Sequence, residues 1–245
     1  MTDSERPDPV TPTGLPHTVD HQHADVTGGW LRAATFGAMD GLVSNTALIA
    51  GVAASASAET VILSGVAGLL AGAFSMALGE YTSVRTANEQ IDSEVHLERG
   101  AFRKQPQAEH DELVGMLMEM GMSDETARTA ATEIHQDEKR ALNFHLIQEL
   151  GVHPEEKPSP WVAAGSSFAM FAVGAIVPLI PYLLGVDSLW AGLLCGGIGL
   201  LIAGATAARF TRKPIVFAGI RQLGLGAIAI AATYAVGLLV GTTVT

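Results

Sequence analysis

The sequence predicts an all-α polytopic membrane protein with five transmembrane helices and a three-helix cytoplasmic insert between helices two and three. Three observations carry that prediction. Lys, Arg, Asp and Glu are nearly absent from five long blocks, roughly 30–54, 60–84, 161–186, 189–210 and 215–240. Each is at least as long as the ~20 residues a helix needs to cross the ~30 Å hydrocarbon layer. Glycine and other small residues run through all five, as expected where membrane helices pack closely. The stretch between the second and third blocks has the opposite character, with 16 carboxylates against 8 Lys and Arg over 85–158. The chain therefore divides into a disordered polar tail (1–28), two membrane helices (29–84), an acidic helical domain (85–158) and three further membrane helices (159–245).

The basic residues orient this arrangement, because there are only 14 and each can be placed. Arg6 and Arg32 lie at or before the start of the first block, eight fall in the acidic domain, and Arg209, Arg212, Lys213 and Arg221 flank the connection between the fourth and fifth blocks. The loops 55–59 and 187–188 carry none. All 14 then share one side, assigned to the cytoplasm, which leaves the C-terminus outside.

A net charge of -11 excludes nucleic acid as a partner, since phosphate binding needs a basic face, and favours cations. The single cysteine, Cys195, lies inside the fourth block and reads as a small apolar filler, so no disulfide or CxxC metal motif is expected. The tail lacks a basic-then-apolar start, which predicts no cleavable signal peptide. Its His17, His21 and His23 have no folded frame to fix metal geometry, and a solvated tail is the plainer reading.

In the first block, Gly37-Ala-Met-Asp-Gly-Leu-Val-Ser-Asn45 puts Asp40 about ten residues into a membrane helix. A charge there costs roughly 2.5–3.5 kcal/mol on insertion scales, so it is expected to face the bundle interior and mark an ion or proton pathway. Ser44 and Asn45, one turn on, are either its hydrogen-bond partners or further ligands. The second block supplies Met76 and Glu80, four apart and so on one helix face. Asp40 and Glu80 are the only carboxylates inside the five blocks, and antiparallel neighbouring helices can bring them together. Carboxylate oxygen with a soft sulfur suits a first-row divalent metal such as Fe²⁺ or Mn²⁺ better than Mg²⁺ or Ca²⁺.

In the acidic domain the first helix continues out of the second block to about Lys104. A second spans about 107–120 and stops at Gly121, and a third, capped by Ser123, runs to Leu150 with Gly151 as its stop. Leu113, Met116, Leu117 and Met120 recur at helical spacing, so Met116, Met118, Met120 and Met122 read as core rather than ligands. Glu109 with Glu112, and Glu94 with Glu98, form adjacent pairs on their helix surfaces. Hanging below a membrane carboxylate, these faces can act as a cation-collecting funnel. In the third block, the two prolines of Val177-Pro-Leu-Ile-Pro-Tyr182 predict a kink or hinge.

Three stretches then resemble one known family: Trp30-Leu-Arg-Ala-Ala followed by Asp40-Gly-Leu-Val-Ser-Asn45, Ser75-Met-Ala-Leu-Gly-Glu-Tyr-Thr-Ser-Val84, and Val173-Gly-Ala-Ile-Val-Pro-Leu-Ile-Pro181. Together with the order of segments they resemble the vacuolar iron transporter (VIT/Ccc1) family from about His17 onward. The resemblance implies a homodimer that exports Fe²⁺, often also Mn²⁺, from the cytosol in exchange for protons, with no prosthetic group. The ion path would lie at the dimer interface, lined by the first two helices. By position it implies Asp40 and Met76 as pathway ligands, Glu80 at the cytoplasmic mouth, and Glu98, Glu109, Glu112 and Glu149 as metal-binding glutamates of the insert. Two residues depart from the pattern: Ala101 stands where a second glutamate is expected, and His145-Leu146 where some members have two methionines. The insert then binds fewer metals or uses His145 as a replacement ligand. A prokaryotic member would occupy the plasma membrane, a eukaryotic one the vacuolar membrane. The competing reading, a membrane-anchored ferritin-like iron oxidase, is disfavoured because no histidine has a glutamate three residues before it.

Overall fold

The computed structural model describes residues 29–54, 56–151, 156–211 and 214–244; the N-terminal histidines, His153, Arg212 and Lys213 lie outside them. Among the described residues there is no strand, and five helices are long and apolar enough to span a membrane. Helix α1 covers Trp30–Ala53 and α2 Ala58–Lys104. Three short helices follow: α3 (Pro106–Glu119), α4 (Asp124–His135) and α5 (Glu138–Leu150). The chain then re-enters the apolar bundle as α6 (Pro160–Ile176), a 3₁₀ turn (Val177–Leu179) and α7 (Ile180–Leu183), and closes with α8 (Leu189–Thr211) and α9 (Ile215–Val244).

Helix α1 is the centre of the bundle, packing against α2, α6, α8 and α9. Its closest partner is α6, and small residues make the approach possible. A Cβ on Gly41 would collide with the Phe171 carbonyl oxygen, and one on Gly174 with that of Ala38, so the two backbones meet where neither has a side chain. Asn45, buried, ties the same seam by donating through Nδ2 to the Ala175 carbonyl at 2.6 Å.

The proline pair of the third span produces one 3₁₀ turn within an otherwise helical crossing. Pro178 and Pro181 cannot donate to the carbonyls four residues back, Gly174 and Val177. The tightened turn supplies replacements, since the Val177 and Ile180 N–H groups donate to those two carbonyls.

Helix α2 runs unbroken for 47 residues, far beyond what a bilayer requires, and carries the chain into the insert. Its extension is fastened by Asn88, which donates to the Pro158 carbonyl at 3.0 Å, and by an Asp92–Lys157 ion pair. Tyr81 packs on Trp161 at 4.7 Å between ring centroids, so the entry to α6 is pinned to α2 at the rim of the bundle. Gly121 and Gly151 take positive φ at the expected stops, and the Ser123 hydroxyl accepts from the Thr126 N–H at 3.4 Å as the expected cap.

Two expectations for the insert are corrected. The third helix is two, broken at Gln136–Asp137. Asp137 accepts from the Lys139 and Arg140 N–H groups at 2.9 and 3.2 Å, starting α5. The Arg140 side chain donates back to the Glu133 and Ile134 carbonyls at 2.6 and 3.3 Å, satisfying the end of α4. The methionines are not core either. Leu113, Val114 and Leu117 pack against Ala127 and Ala131, while Met118, Met120 and Met122 are exposed and Met116 is half-buried. Helix α3 ends at Glu119, so Met120 and Met122 fall in the turn before α4, and Met118 falls off the face that α4 covers.

Candidate metal sites

Two clusters of ligand-type side chains are joined by α2. The first is a cavity of about 280 Å³ within the membrane-spanning bundle, lined by Asp40, Ser44 and Asn45 of α1, Ser75 and Met76 of α2, and Phe171 of α6. Four of the five pathway residues expected from the sequence thus share one space. Gly68 and Gly72 of α2 make the room, because a Cβ at Gly72 would strike the Phe171 ring and one at Gly68 would reach Leu48 and the Asn45 Oδ1.

The polar groups around this cavity are only partly committed. Ser44 donates to the Asp40 backbone carbonyl at 2.6 Å, not to its carboxylate. Among the described residues the Asp40 carboxylate has no hydrogen-bond or ion-pair partner, which removes the purely structural role that Ser44 offered it. Asn45 spends its amide nitrogen on α6, and its Oδ1 is buried without a donor, 3.2 Å from where a Gly68 Cβ would sit. Met76 both lines the cavity and packs beside Phe171, Ala73 and Ala175. A carboxylate, an amide oxygen, hydroxyls and a thioether facing one space form a donor set suited to a borderline cation.

Glu80, one turn from Met76 toward the insert, lies outside the cavity lining. It is buried and receives a 2.9 Å hydrogen bond from Arg32 Nη2. Sequence reasoning missed this partner; its only signal was a lone arginine in the first turn of the neighbouring antiparallel helix.

The second cluster sits in the insert, where α2, α3 and α5 meet. Ligand atoms of Glu98, Glu109 and His145 all lie within 4.8 Å of one another. His145 is fully buried, with Nδ1 3.2 Å from a Glu98 oxygen and 3.7 Å from a Glu109 oxygen. Neither of its ring nitrogens has a directed hydrogen bond, nor does Glu98 Oε1. Buried polar atoms in that condition cost free energy, and a cation between His145 Nδ1 and the two carboxyl groups would satisfy Nδ1 and the Glu98 oxygen.

Burial and crowding of like charge set the protonation here. Burial foremost, then the neighbouring Glu109 and Glu149, pushes Glu98 from its ordinary 4.5 up to about 7. Glu109 is raised by burial and then by Glu112, and Glu149 by burial, then Glu112 and Glu94. The expected ligands Glu94, Glu98, Glu109, Glu112 and Glu149 therefore lie in one mutually repelling field. Burial and the nearby His135 push His145 down to about 4, so its imidazole is neutral near pH 7. With the imidazole neutral, the His145–Glu98 approach is not an ion pair near pH 7.

His145 continues into a row of aromatic rings. His135 stands 5.9 Å from it and 5.3 Å from His110, and Phe102 stands 5.0 Å from His145, all between centroids. The positions of His110 and His135 beside the site were not legible, because His135 reaches it only through the helix break at Gln136–Asp137.

A bundle of five membrane-length helices with a polar-lined cavity, joined by one helix to a carboxylate–imidazole cluster, defines a polytopic membrane protein. A VIT family profile matches residues 31–238, and the chain belongs to the VIT family. It is similar to a "Vacuolar iron transporter" of Acanthamoeba castellanii, 36% identical over 224 residues that cover 89% of this chain and 82% of that protein. It is also similar to "Vacuolar iron transporter 1" of Arabidopsis thaliana, 29% identical with 91% and 90% covered, and to "VIT-like transporter 1b" of Glycine max, 32% identical with 86% and 76% covered.

Proposed function

We propose that this protein transports Fe²⁺, with Mn²⁺ as a second substrate, out of the cytosol by proton antiport. The carrying observation is the uncommitted Asp40 carboxylate in a cavity shared with Met76, Ser44 and Asn45. The names of the relatives, transporters of iron, support the same reading. The insert collects metal through Glu98, Glu109 and His145, with Glu94, Glu112 and Glu149 supplying the surrounding negative field. Metal then follows α2 past Glu80 to Asp40 and Met76, contributed by each protomer of a homodimer.

Metal and proton compete for the same oxygens, so a proton arriving at Asp40 from the far side releases the metal, and metal reloading releases the proton. No bond within the substrate is made or broken, and the protein acts as a carrier. The gathering of the basic residues on one side supports a cytoplasmic N-terminus and insert with the C-terminus outside. The membrane is the plasma membrane in a prokaryotic cell and the vacuolar membrane in a eukaryotic one.

Purified protein in liposomes with an imposed pH gradient tests the proposal. Fe²⁺ uptake should follow the gradient, stop when it is collapsed, and be lost in Asp40→Asn. An Asp40→Asn variant that still moves Fe²⁺ at the wild-type rate would sink it. Running Fe²⁺, Mn²⁺, Co²⁺ and Zn²⁺ in parallel ranks the substrates.

A further inference from the structure

On the face of α1 turned away from Asp40, the bundle carries a groove of about 530 Å³ between α1, α6 and α8. Its floor is cut by small residues, among them Ala34, Ala38, Gly174, Gly199 and Ala203, and its walls are apolar, with Met39 directly behind Asp40 in the α1 sequence. It runs from Trp30 to Leu42 on α1 and from Ala207 to Cys195 on α8, in each case twelve residues or about 18 Å of helix. One leaflet of the ~30 Å hydrocarbon layer is about 15 Å deep. The groove opens at the insert end of the bundle and, because Gly199 of α8 meets Leu42 and Gly196 meets Thr46, continues about one turn past Leu42 to Cys195 and Ile180, a length that takes one extended acyl chain.

We propose that this groove binds one acyl chain of an anionic phospholipid, whose phosphate is held at the insert end of the bundle. The end of the groove carries the complementary chemistry. The α8 lining residues, Cys195, Ile198, Ile202 and Thr206 among them, recur at helical spacing, and the same stripe continues to the exposed Arg209. Opposite, Trp30 lines the mouth at 47% exposure, the place where an amphipathic ring sits at headgroup level. A basic side chain near an anionic headgroup contributes on the order of 1 kcal/mol, which is roughly a fivefold preference over a zwitterionic lipid. A seated chain leans on Met39 and so on the turn of α1 that presents Asp40 to the metal cavity.

Native mass spectrometry of the purified full-length protein, titrated with phosphatidylglycerol or phosphatidylcholine of matched tails, tests this. One phosphatidylglycerol should be retained per chain, about fivefold more readily than phosphatidylcholine. Arg209→Gln should erase the headgroup preference while keeping the tail, and Ala203→Phe, which fills the groove, should remove the retained lipid. Ala207→Leu, a smaller plug near the mouth, gives the same answer if Ala203→Phe does not fold. Equal retention of both lipids by the wild type, or undiminished retention in the folded plug variants, overturns the proposal. So does a change of oligomeric state in those variants, which would make the groove a contact between copies.

Discussion

The two ligand clusters differ in the way a carrier's resting point differs from its loading point. In the insert, Glu98, Glu109 and His145 are crowded within 4.8 Å, the last two buried, and one Glu98 oxygen and both His145 ring nitrogens lack hydrogen bonds. In the bundle, Asp40, Asn45, Ser44 and Met76 surround a cavity of about 280 Å³, and two of their polar atoms, the Ser44 hydroxyl and the Asn45 amide nitrogen, already serve the helices. The first gathers donor atoms at close spacing, and the second leaves open space between them. A membrane path needs binding strong enough to admit an ion and weak enough to release it. The contrast suits a collector feeding a conduit along α2.

The sharpest way to break this contrast is to disable one cluster and read the other. Asp40→Asn should lower Fe²⁺ flux by on the order of 100-fold or more, above the 10–100-fold typical of outer-shell changes, while metal binding by the insert, read by calorimetry on the same protein, stays unchanged. A variant that loses both would make the clusters one unit. His145→Ala reverses the test: insert affinity should drop about 10–100-fold, with flux at saturating metal within about twofold of wild type. Loss of saturating flux would instead put the insert inside the transport cycle.

Acidity sharpens the comparison next. Glu98 holds its proton up to about pH 7, so metal must displace that proton below this point. Affinity at the insert should fall by up to about tenfold per unit as pH drops from 7, and level off above it. His145, down at about 4, keeps its lone pair free throughout that range. The sign for the metal-free protein is the opposite. An acid whose folded pKa exceeds its unfolded 4.5 disfavours the fold once it ionises, so the Glu98 contribution to stability declines as pH rises from about 4.5 toward 7, while that of His145, whose folded value lies below the free one, rises from about 4 toward 6.5 and opposes it. Thermal melts across that range, with and without metal, should diverge as pH rises.

The smallest effect expected is on packing. Gly41→Ala forces a methyl group against the Phe171 carbonyl and should cost about 1–3 kcal/mol of bundle stability. Flux should fall with it, whereas metal affinity at the insert, which lies outside that seam, should not. A denaturant melt of the bundle paired with the binding isotherm separates the two.

The five spans were legible because hydropathy over ~20 residues is a property of the chain itself, and no tertiary contact can make a charged stretch cross lipid. Asp40 and Glu80 stood out for the same reason, as isolated carboxylates within those spans. The caps and stops at Ser123, Gly121 and Gly151 were equally local. The insert resisted, because its details depend on what covers what. Helical periodicity marked the methionines as core, but α3 ends at Glu119, which leaves Met120 and Met122 in the turn, and Met118 lies off the face that α4 covers. Spacing ran one helix to Leu150, but Asp137 and Arg140 together satisfy a break that neither signals alone.

What the sequence determined by itself was the set of groups too costly to leave idle in lipid. Only the tertiary structure decided their partners. It gave Arg32 to Glu80, turned Ser44 to the Asp40 backbone, tied Asn45 to α6, and brought His145 to Glu98 and Glu109 from three different helices. The physical reason is range: transfer into lipid is counted residue by residue, whereas a hydrogen bond or a ligand cluster exists only where distant segments come within about 3 Å.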